Sequence, residues 1–365
     1  MKESPTKTVC LFNSNKAWGG GEKWHYTAAK ELSRRGYRTI LCANRGSELA
    51  KKANKDKIDV WEWEVSNLTF INPVKLFVLA LFLKTKKVDS IILNLPSDLK
   101  YAGLAAKLAG VRKIIYRRGM PHPLRNTWLN RFLFQKVLTD VIVNSKEIGR
   151  TLKQGNEDWF PEDKVTLIYN GIDTSKDFDR TKKLYERQGD EFIIGNAGRL
   201  TEQKGQKYLI EMAEILVKDK VNFKILIAGE GELKQSLQKI INEKKLQERI
   251  QLIGHVEDMA TFMNSIDVFV FPSLFEGSAN TLLEAQYFGK PIVAWETSSN
   301  GEIIQNNING FLVPTQDSKL FTQKVSELLY SKDLSDKLKM NGEKLVKEFF
   351  DSKITWAKLE QLIGI

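Results

Sequence analysis

The feature that most constrains the fold of this chain is the alternation of short aliphatic runs with longer stretches of helical period. Strands separated by helical stretches are typical of parallel sheets covered by helices. The runs predict strands near residues 8–12, 37–42, 59–63, 90–93, 113–116, 141–143 and 165–169, and again near 192–196, 223–228, 250–253, 268–271 and 291–294. Past Asp317 the pattern is helical to the end. The sequence therefore predicts an α/β protein with two doubly wound, Rossmann-like domains.

A chain of 365 residues is long enough for two domains that each bury a core. The polar segment Asp173–Asp190 (DTSKDFDRTKKLYERQGD) separates the two series of strands and predicts a linker, because it has many charges and few aliphatic residues. We predict one domain over residues 1–175, a second over 190–350 and a C-terminal segment over 351–365. Parallel sheets bind ligands beyond the carboxyl ends of their strands, so we expect these ends to face each other across a cleft.

Basic residues are concentrated in the first half of the chain. Residues 1–180 hold 32 lysines and arginines against 19 acidic residues, a net charge of +13, whereas residues 181–365 carry −2. The asymmetry predicts that the first domain faces a membrane surface, nucleic acid or an acidic glycan; a lysine-rich solvated surface is the alternative. Nucleic acid is not expected, because the sequence has no zinc knuckle, RNP-like motif or basic-aromatic stripe.

The sequence predicts a cytoplasmic protein that can lie on the membrane surface. No apolar run approaches the roughly 20 residues that span a bilayer, and the polar start lacks the apolar segment of a signal peptide. Both cysteines, Cys10 and Cys42, lie in apolar runs, as reduced core cysteines do. Basic clusters and the apolar stretch Phe70–Leu83 would suit an anionic membrane surface.

Glycines and cations follow the first predicted strand of each half. Trp18-Gly19-Gly20-Gly21-Glu22 comes before a helical pattern, where backbone N–H groups can approach an anion, although a tight turn explains the glycines equally well. Gly198-Arg199-Leu200-Thr201 is followed by Lys204-Gly205. A guanidinium and an ammonium on one loop can converge on a diphosphate, unless they are an ordinary loop pair.

The most informative segment runs from Phe271 to Ala285 (FPSLFEGSANTLLEA). Glu276 precedes a predicted helix start at Ala279 or Asn280, and Glu284 lies inside that helix. The helix start could receive a phosphate while the carboxylates accept hydrogen bonds from hydroxyl groups on either side. Gly229-Glu230-Gly231 and Gly254-His255-Val256 follow two further strands, and these glycines predict a planar or extended ligand close to the backbone.

Together these segments resemble a retaining glycosyltransferase of family 4, with the GT-B fold. The resemblance covers nearly the whole chain and rests on the Glu276/Glu284 pair, the Arg199 to Gly205 loop, the Gly229-x-Gly231 turn, the glycine-rich first loop and Asn170-Gly171-Ile172-Asp173. It implies that the first domain binds an acceptor and the second a nucleotide-sugar. It also implies that the helix after Asp351 crosses back onto the first domain, with Trp356 and Leu359 as packing residues.

The resemblance also implies roles for individual residues. Arg199 and Lys204 would hold the diphosphate, Glu284 would hold ribose hydroxyls and Glu276 would contact the donor sugar. The backbone near His255 and Val256 would lie against the base. The further donor-binding residues implied are Gly20, Gly21, Gly198, Gly229, Gly277, Ser278, Ala279, Asn280, Thr281 and Leu282.

The first domain departs from the family where many relatives carry a histidine near the donor sugar. The chain reads Tyr116-Arg117-Arg118-Gly119-Met120-Pro121-His122-Pro123 there. His122 is the candidate for that catalytic role, together with Glu276, Arg199 and Lys204 in the second domain. Arg117 and Arg118 are candidates for holding an anionic acceptor or a donor phosphate, and a buried, hydrogen-bonded arginine is the alternative.

The resemblance implies transfer of a hexosyl group with retention of configuration, from a UDP- or GDP-sugar to a glycan or a lipid-linked acceptor of the cell envelope. We expect no cofactor and no metal, because the Arg/Lys clamp takes the place of a divalent cation. Two alternatives stay open. A nucleotide-sugar epimerase of the same fold would share the clamp, and an inactive partner subunit is disfavoured because the four candidate donor residues are intact.

Overall fold

The computed structural model of the chain describes residues 7–175, 178–297 and 299–364 and forms two compact units. One unit runs to Ile168 and takes in the chain again from Trp356, whereas the other is Tyr169–Thr355. Each unit has a parallel sheet packed between helices. The predicted α/β class with two Rossmann-like domains is confirmed.

In the described residues of the first unit, a seven-stranded sheet has the order β3-β2-β1-β4-β5-β6-β7. Its strands are β1 (Thr8–Asn13), β2 (Arg38–Asn44), β3 (Val60–Trp63), β4 (Ser90–Leu93), β5 (Lys113–Arg118), β6 (Asp140–Val143) and β7 (Val165–Leu167). Its helices are α1 (Gly20–Arg34), α2 (Glu48–Lys55), α3 (Pro73–Thr85), α4 (Pro96–Asp98), α5 (Leu104–Ala109), α6 (Trp128–Phe132) and α7 (Lys146–Lys153).

Strand β1 shows why this sheet is covered on both faces. Val9 and Leu11 pack into one buried cluster, and Cys10 and Phe12 pack into another on the opposite face. A strand that is apolar on both sides is stable only when helices cover both faces of the sheet. The continuous apolar run therefore places β1 in the middle of the sheet, between β2 and β4.

In the described residues of the second unit, a six-stranded sheet has the order β10-β9-β8-β11-β12-β13. Its strands are β8 (Phe192–Ala197), β9 (Phe223–Ala228), β10 (Ile250–Gly254), β11 (Val268–Phe271), β12 (Ile292–Trp295) and β13 (Phe311–Val313). Its helices are α8 (Lys207–Lys218), α9 (Lys234–Glu243), α10 (Met259–Ser265), α11 (Asn280–Tyr287), α12 (Asn300–Ile303), α13 (Ser318–Tyr330) and α14 (Lys332–Phe349). Strand β13 was not among the predicted strands, because its apolar run is limited to three residues between Gly310 and Pro314.

The segment predicted as a linker is attached to the second unit. Its described residues, 173–175 and 178–190, form no helix or strand, as predicted. However, the Phe178 ring lies 4.3 Å from that of Phe288, and the amide of Leu184 donates to the carbonyl of Thr261 (3.1 Å). The polar composition therefore indicated irregular structure correctly, but this ring contact and this backbone hydrogen bond attach the segment to the second unit.

The last helix, α15 (Ser352–Ile363), enters the first unit at Trp356. Leu359 and Ile363 are buried in the same cluster as Val9 of β1, and the Trp356 ring lies 6.0 Å from that of Trp24. The prediction that this helix returns to the first domain, with Trp356 and Leu359 packing there, is confirmed.

The helices of the described residues are shorter than the roughly 20 residues that span a bilayer. The longest is α14, with 18 residues, and five of these are lysines. None of the helices in the described ranges combines the length and the apolar character that crossing a lipid bilayer requires.

Candidate active site

The centre of the candidate site in the second unit is an ion pair between Lys204 and Glu276. Lys204 lies on the loop that follows β8, and Glu276 lies on the loop between β11 and α11. The ammonium Nζ is 2.6 Å from Glu276 Oε1, and the two side chains are only 15% and 7% exposed. The structure thus brings together two predicted site residues that are 72 positions apart.

Close packing of the two loops fixes this pair. Gly205 has a φ of +66°, and a Cβ there would overlap the carbonyl oxygen of Pro272. The amide of Leu274 donates to the carbonyl of Gln203 (2.8 Å), and the Gln203 side chain donates back to the carbonyl of Phe275 (2.8 Å). Only glycine fits at position 205, because a side chain would push the loops apart.

Arg199 lies on the same loop as Lys204, but its side chain is exposed. Its backbone carbonyl accepts hydrogen bonds from the Gln206 side chain (3.0 Å) and from the amide of Thr201 (3.0 Å). The loop backbone is therefore held in place while the guanidinium faces solvent. Arg199 can reach an anion that arrives from solution, whereas Lys204 is already positioned by Glu276.

The glycines after β9 lie against the backbone of the chain itself. A Cβ at Gly229 would overlap the carbonyl oxygen of Gly198, and a Cβ at Gly231 would overlap that of Leu200. The amide of Leu200 also donates to the carbonyl of Glu230 (3.0 Å). The backbone that lies close to these two glycines is the chain's own loop after β8, so they need no ligand to explain them.

Helix α11 begins at Asn280, as predicted. The Asn280 side-chain oxygen accepts from the Asn170 amide group (2.9 Å) and from the hydroxyl of Ser278 (3.2 Å). The amide of Leu282 is bonded to the carbonyl of Ala279 (2.9 Å), and that of Asn280 to the carbonyl of Ser278 (2.9 Å). Two amides of the predicted phosphate-receiving turn are therefore engaged within the turn itself.

The remaining donor-site candidates lie at the ends of neighbouring elements. Glu284 and Thr281 are half-buried on α11, and Gly277 is buried beside Glu276. His255 is exposed on the loop after β10, and Val256 is half-buried against the core. These placements put Glu284 one helical turn after Asn280, at the same end of the sheet as the ion pair.

In the first unit the glycine-rich loop leads directly into α1. Gly20 is exposed at the helix start, and a Cβ there would meet open space. At Gly21, by contrast, a Cβ would lie 2.8 Å from Asn94 Nδ2. Gly20 is thus free to approach a ligand, whereas Gly21 is needed for packing against the loop after β4.

A buried polar network that sequence reasoning missed lies beside this loop. The carboxylate of Glu22 is buried, and its Oε1 accepts from Asn13 Nδ2 (3.1 Å) and more distantly from Asn94 Nδ2 (3.4 Å). Asn13 ends β1 and Asn94 follows β4, which are neighbours in the sheet. Polar residues at the carboxyl ends of parallel strands were the available signal, but their pairing required knowledge of the strand order.

Arg117 is buried next to this network. Its guanidinium lies 4.5 Å from the Trp24 ring centre, and burial lowers its pKa to about 10, against the opposing effect of the Glu22 charge. His25 was also missed by sequence reasoning. Burial, helped by the Arg117 charge, lowers the pKa of His25 to about 3, so the imidazole stays neutral. Its Nδ1 lies 3.0 Å from the carbonyl of Gly21.

Arg118 and His122 are joined through the loop after β5. Arg118 donates to the hydroxyl of Tyr116 (3.0 Å) and to the backbone carbonyl of His122 (2.9 Å). The His122 side chain itself is exposed. Arg118 is half-buried, and its hydrogen bond to the backbone of His122 holds the loop on which His122 lies.

Two family models match the chain along most of its length. The model described as Glycosyltransferase Family 4 matches residues 18–176, and the model described as Glycosyl transferases group 1 matches residues 177–345. The chain belongs to this glycosyltransferase family. The first match contains Gly20, Gly21, Arg117, Arg118 and His122, and the second contains the Lys204–Glu276 ion pair.

Curated relatives of this family 4 chain include two bacterial enzymes. It is 30% identical to the capsular polysaccharide biosynthesis glycosyltransferase CapM of Staphylococcus aureus over 244 residues, 63% of this chain and 64% of CapM. It is 26% identical to the UDP-Gal:alpha-D-GlcNAc-diphosphoundecaprenol alpha-1,3-galactosyltransferase of Escherichia coli over 302 residues, 78% of this chain and 77% of that protein. The chain thus spans slightly less than two thirds of CapM.

The fold of the family is confirmed by solved structures. A glycosyltransferase from Rickettsia africae ESF-5 superposes with a TM-score of 0.87 at 21% identity, over 99% of this chain and 98% of that one. The predicted GT-B fold is therefore the fold of this family 4 chain.

Proposed function

We propose that this chain transfers a hexosyl group from a UDP- or GDP-sugar to a glycan or lipid-linked acceptor of cell-envelope polysaccharide, with retention of configuration. The observation that carries the proposal is the buried Lys204–Glu276 ion pair, which two strand-end loops hold beside α11. The names of the relatives support the substrate class, since one names a capsular polysaccharide and the other names a UDP-sugar and a diphosphoundecaprenol acceptor.

The second unit binds the nucleotide-sugar in this proposal, and the first unit binds the acceptor. Lys204 and Arg199 hold the diphosphate, Glu276 contacts the donor sugar, and Glu284 accepts from ribose hydroxyls. When the diphosphate arrives, the Lys204 ammonium is shared between the phosphate and Glu276, and the carboxylate becomes available for a sugar hydroxyl. Because the ammonium is held before binding, little reorganisation accompanies the reaction.

The reaction breaks the bond between the anomeric carbon and the phosphate oxygen and forms a bond to the acceptor oxygen on the same face. Negative charge grows on the leaving diphosphate while the sugar becomes oxocarbenium-like, so the cations of Lys204 and Arg199 stabilise the transition state. The acceptor proton passes to the leaving phosphate. The two cations supply the charge stabilisation in this scheme, so it includes no metal and no cofactor.

The charge of the first half supports a peripheral position on the cytoplasmic face of an anionic membrane. The net +13 of residues 1–180 would attract such a surface, where lipid-linked acceptors are held. His122, on the loop that Arg118 holds, is exposed and available to a donor or acceptor group.

A panel of nucleotide-sugars tests the proposal, first by thermal stabilisation and then with an undecaprenyl-diphosphate-linked acceptor in the presence of EDTA. We expect one donor to stabilise the protein and to give a glycosylated lipid with the anomeric configuration of the donor. Conversion of the donor to its epimer without acceptor would show an epimerase instead. Activity that EDTA abolishes and magnesium or manganese restores would show that the phosphate site is wrongly assigned.

A further inference from the structure

Helix α3 carries apolar side chains all around its circumference. Leu79, Ala80 and Leu83 are buried in the core of the first unit. The opposite side is apolar too, and a helix of that kind is normally buried on every side or in contact with lipid. In α3 and the turn before it, six large apolar side chains face solvent and are between 50% and 68% exposed: Leu68, Ile71, Val74, Phe77, Val78 and Leu81. We call these six residues the apolar face of α3.

The spacing along the helix makes this face one continuous stripe. Val74, Phe77, Val78 and Leu81 stand three or four residues apart, so they lie above one another on one side of the helix. An exposed apolar surface of this kind on a folded protein marks a site of contact with a partner. The question is therefore which partner covers it.

The charges around the apolar face favour an anionic lipid surface. The segment from Val65 to Val88 contains four lysines and no aspartate, glutamate or arginine. Lysine is depleted in protein–protein interfaces, whereas lysines beside an apolar helical face are typical of helices that lie on anionic membranes. The first half of the chain adds further positive charge, whereas a second copy of the chain would bring like charges together.

An aromatic cluster at the end of α3 points to the same partner. Trp61 is 39% exposed, its ring lies 4.9 Å from that of Phe82, and Lys86 Nζ lies 4.2 Å above it. Tryptophan is enriched at the boundary between lipid and water, because its ring can contact apolar groups while its polar N–H reaches water. With 13 residues, α3 is about 20 Å long, too short to span a bilayer but suited to lie in its surface.

We propose that the apolar face of α3 inserts into the surface of an anionic phospholipid bilayer, with the helix parallel to the membrane plane. The lysines around it lie at the headgroups and Trp61 lies at the lipid–water boundary. The inference deepens the proposed function, since it rests on a membrane-held acceptor, and it names the surface that reaches the membrane.

Sedimentation with phosphatidylglycerol-containing vesicles tests the insertion. At about 1 M salt the Debye length is about 3 Å, so the binding that remains is apolar. We expect the wild type to keep part of its binding there, and the double variant Phe77→Gln/Leu81→Gln to bind at least about tenfold more weakly, since two apolar side chains no longer enter the lipid. The matched control is Val217→Gln/Met340→Gln, which changes two exposed apolar residues of the second unit and should bind like the wild type.

A fluorescent label reports insertion directly. The native thiols of Cys10 and Cys42 are buried, so an environment-sensitive dye will react selectively with Val78→Cys. We expect a blue shift when vesicles are added, and no shift for the same dye on the control Met340→Cys. No shift at position 78 would overturn the proposal.

Other outcomes are equally decisive. Complete release of the wild type at high salt, or unchanged high-salt binding of the Phe77→Gln/Leu81→Gln variant, would overturn insertion and leave only electrostatic attraction. A wild-type dimer that becomes a monomer in this variant would show that a second copy covers the face. The Phe77→Gln/Leu81→Gln variant should transfer sugar to a soluble acceptor analogue as well as the wild type does. If the wild type itself shows no transferase activity, the proposed function is refuted, whereas the vesicle measurements still decide the insertion.

Discussion

At the scale of single residues, the Lys204–Glu276 ion pair should matter both for stability, because it is buried, and for the proposed donor site. Removing one partner of a buried ion pair lowers stability strongly, because the remaining charge stays buried without its counterion. Sequence reasoning assigned both residues to the donor site from the resemblance, but it did not predict that they contact each other. That contact depends on two loops 72 positions apart and on Gly205, which lets them meet.

We predict that Lys204→Ala lowers turnover by more than about a hundredfold, the size of losing one preorganised charge-stabilising group. It should also lower the free energy of unfolding by about 3–5 kcal/mol, because Glu276 is left buried without this cation. Steady-state kinetics and denaturant unfolding measure the two effects. The double variant Lys204→Ala/Glu276→Gln should recover much of the stability and none of the turnover.

The control for this prediction is Lys207→Ala, since Lys207 is half exposed and its nearest carboxylate, on Glu202, is 3.9 Å away. It should keep turnover and stability close to those of the wild type. Arg199→Ala should lower turnover on the same scale as Lys204→Ala and leave stability unchanged, because its side chain is exposed. Turnover near the wild-type value in both Arg199→Ala and Lys204→Ala would refute the clamp.

The two glutamates should differ in what they bind. Glu284→Gln should weaken binding of the free nucleoside diphosphate, whereas Glu276→Gln should impair turnover of the nucleotide-sugar and largely spare the free nucleotide. The reason is their placement: Glu276 lies before the start of α11 and Glu284 lies one turn inside it. Calorimetry with the nucleotide alone separates the roles, and equal losses of affinity would contradict the division.

At the scale of elements, most of the parallel strands could be read from the sequence, because central strands such as β1 are apolar on both faces. The contacts made by the residues that follow each strand were less predictable. Gly229 and Gly231 indicated a ligand, but the loop after β8 fills the space beside them. Asn13, Glu22 and Asn94 form a network only because β1 and β4 are neighbours, and strand order follows from packing of the whole sheet.

The loops after β1 and β4 contain a group that should make stability depend on pH. Asp98 is buried on α4 and accepts hydrogen bonds from the amides of Leu95 (2.8 Å) and Ser14 (3.2 Å). Burial raises its pKa from 3.8 to about 7. Because the folded state holds this proton more tightly than the unfolded state, the stabilisation is complete below about pH 4 and is lost as the pH rises through about 7.

Asp98→Asn removes this titration. Relative to the variant, the wild type should lose up to about 4 kcal/mol of unfolding free energy between about pH 4 and about pH 8, at about 1.4 kcal/mol for each unit of pKa shift. The constant difference caused by the altered hydrogen bonds does not affect this comparison. Denaturant unfolding of both proteins across the range measures it, and parallel pH profiles would show that Asp98 is not the titrating group.

At the scale of the whole molecule, charge is the property that the sequence alone determines. The excess of +13 in residues 1–180, against −2 in the rest, depends on no contact and was available before any fold was known. The sequence did not show whether an apolar surface lies beside this charge, because the stretch Phe70–Leu83 could equally have been core. The structure divides it, since Leu79 is buried and Phe77 is 67% exposed.

The last prediction follows from this charge. The full chain should bind anionic vesicles at low salt and bind neutral phosphatidylcholine vesicles far more weakly. Each lysine or arginine near an anionic surface contributes about 1 kcal/mol within a Debye length, so four or five of the excess charges are enough for reversible binding. Raising the salt from about 0.05 M to about 0.3 M shortens that length and should release most of the protein. Absence of binding at low salt, or equal binding to neutral vesicles, would show that the positive charge does not serve a membrane surface.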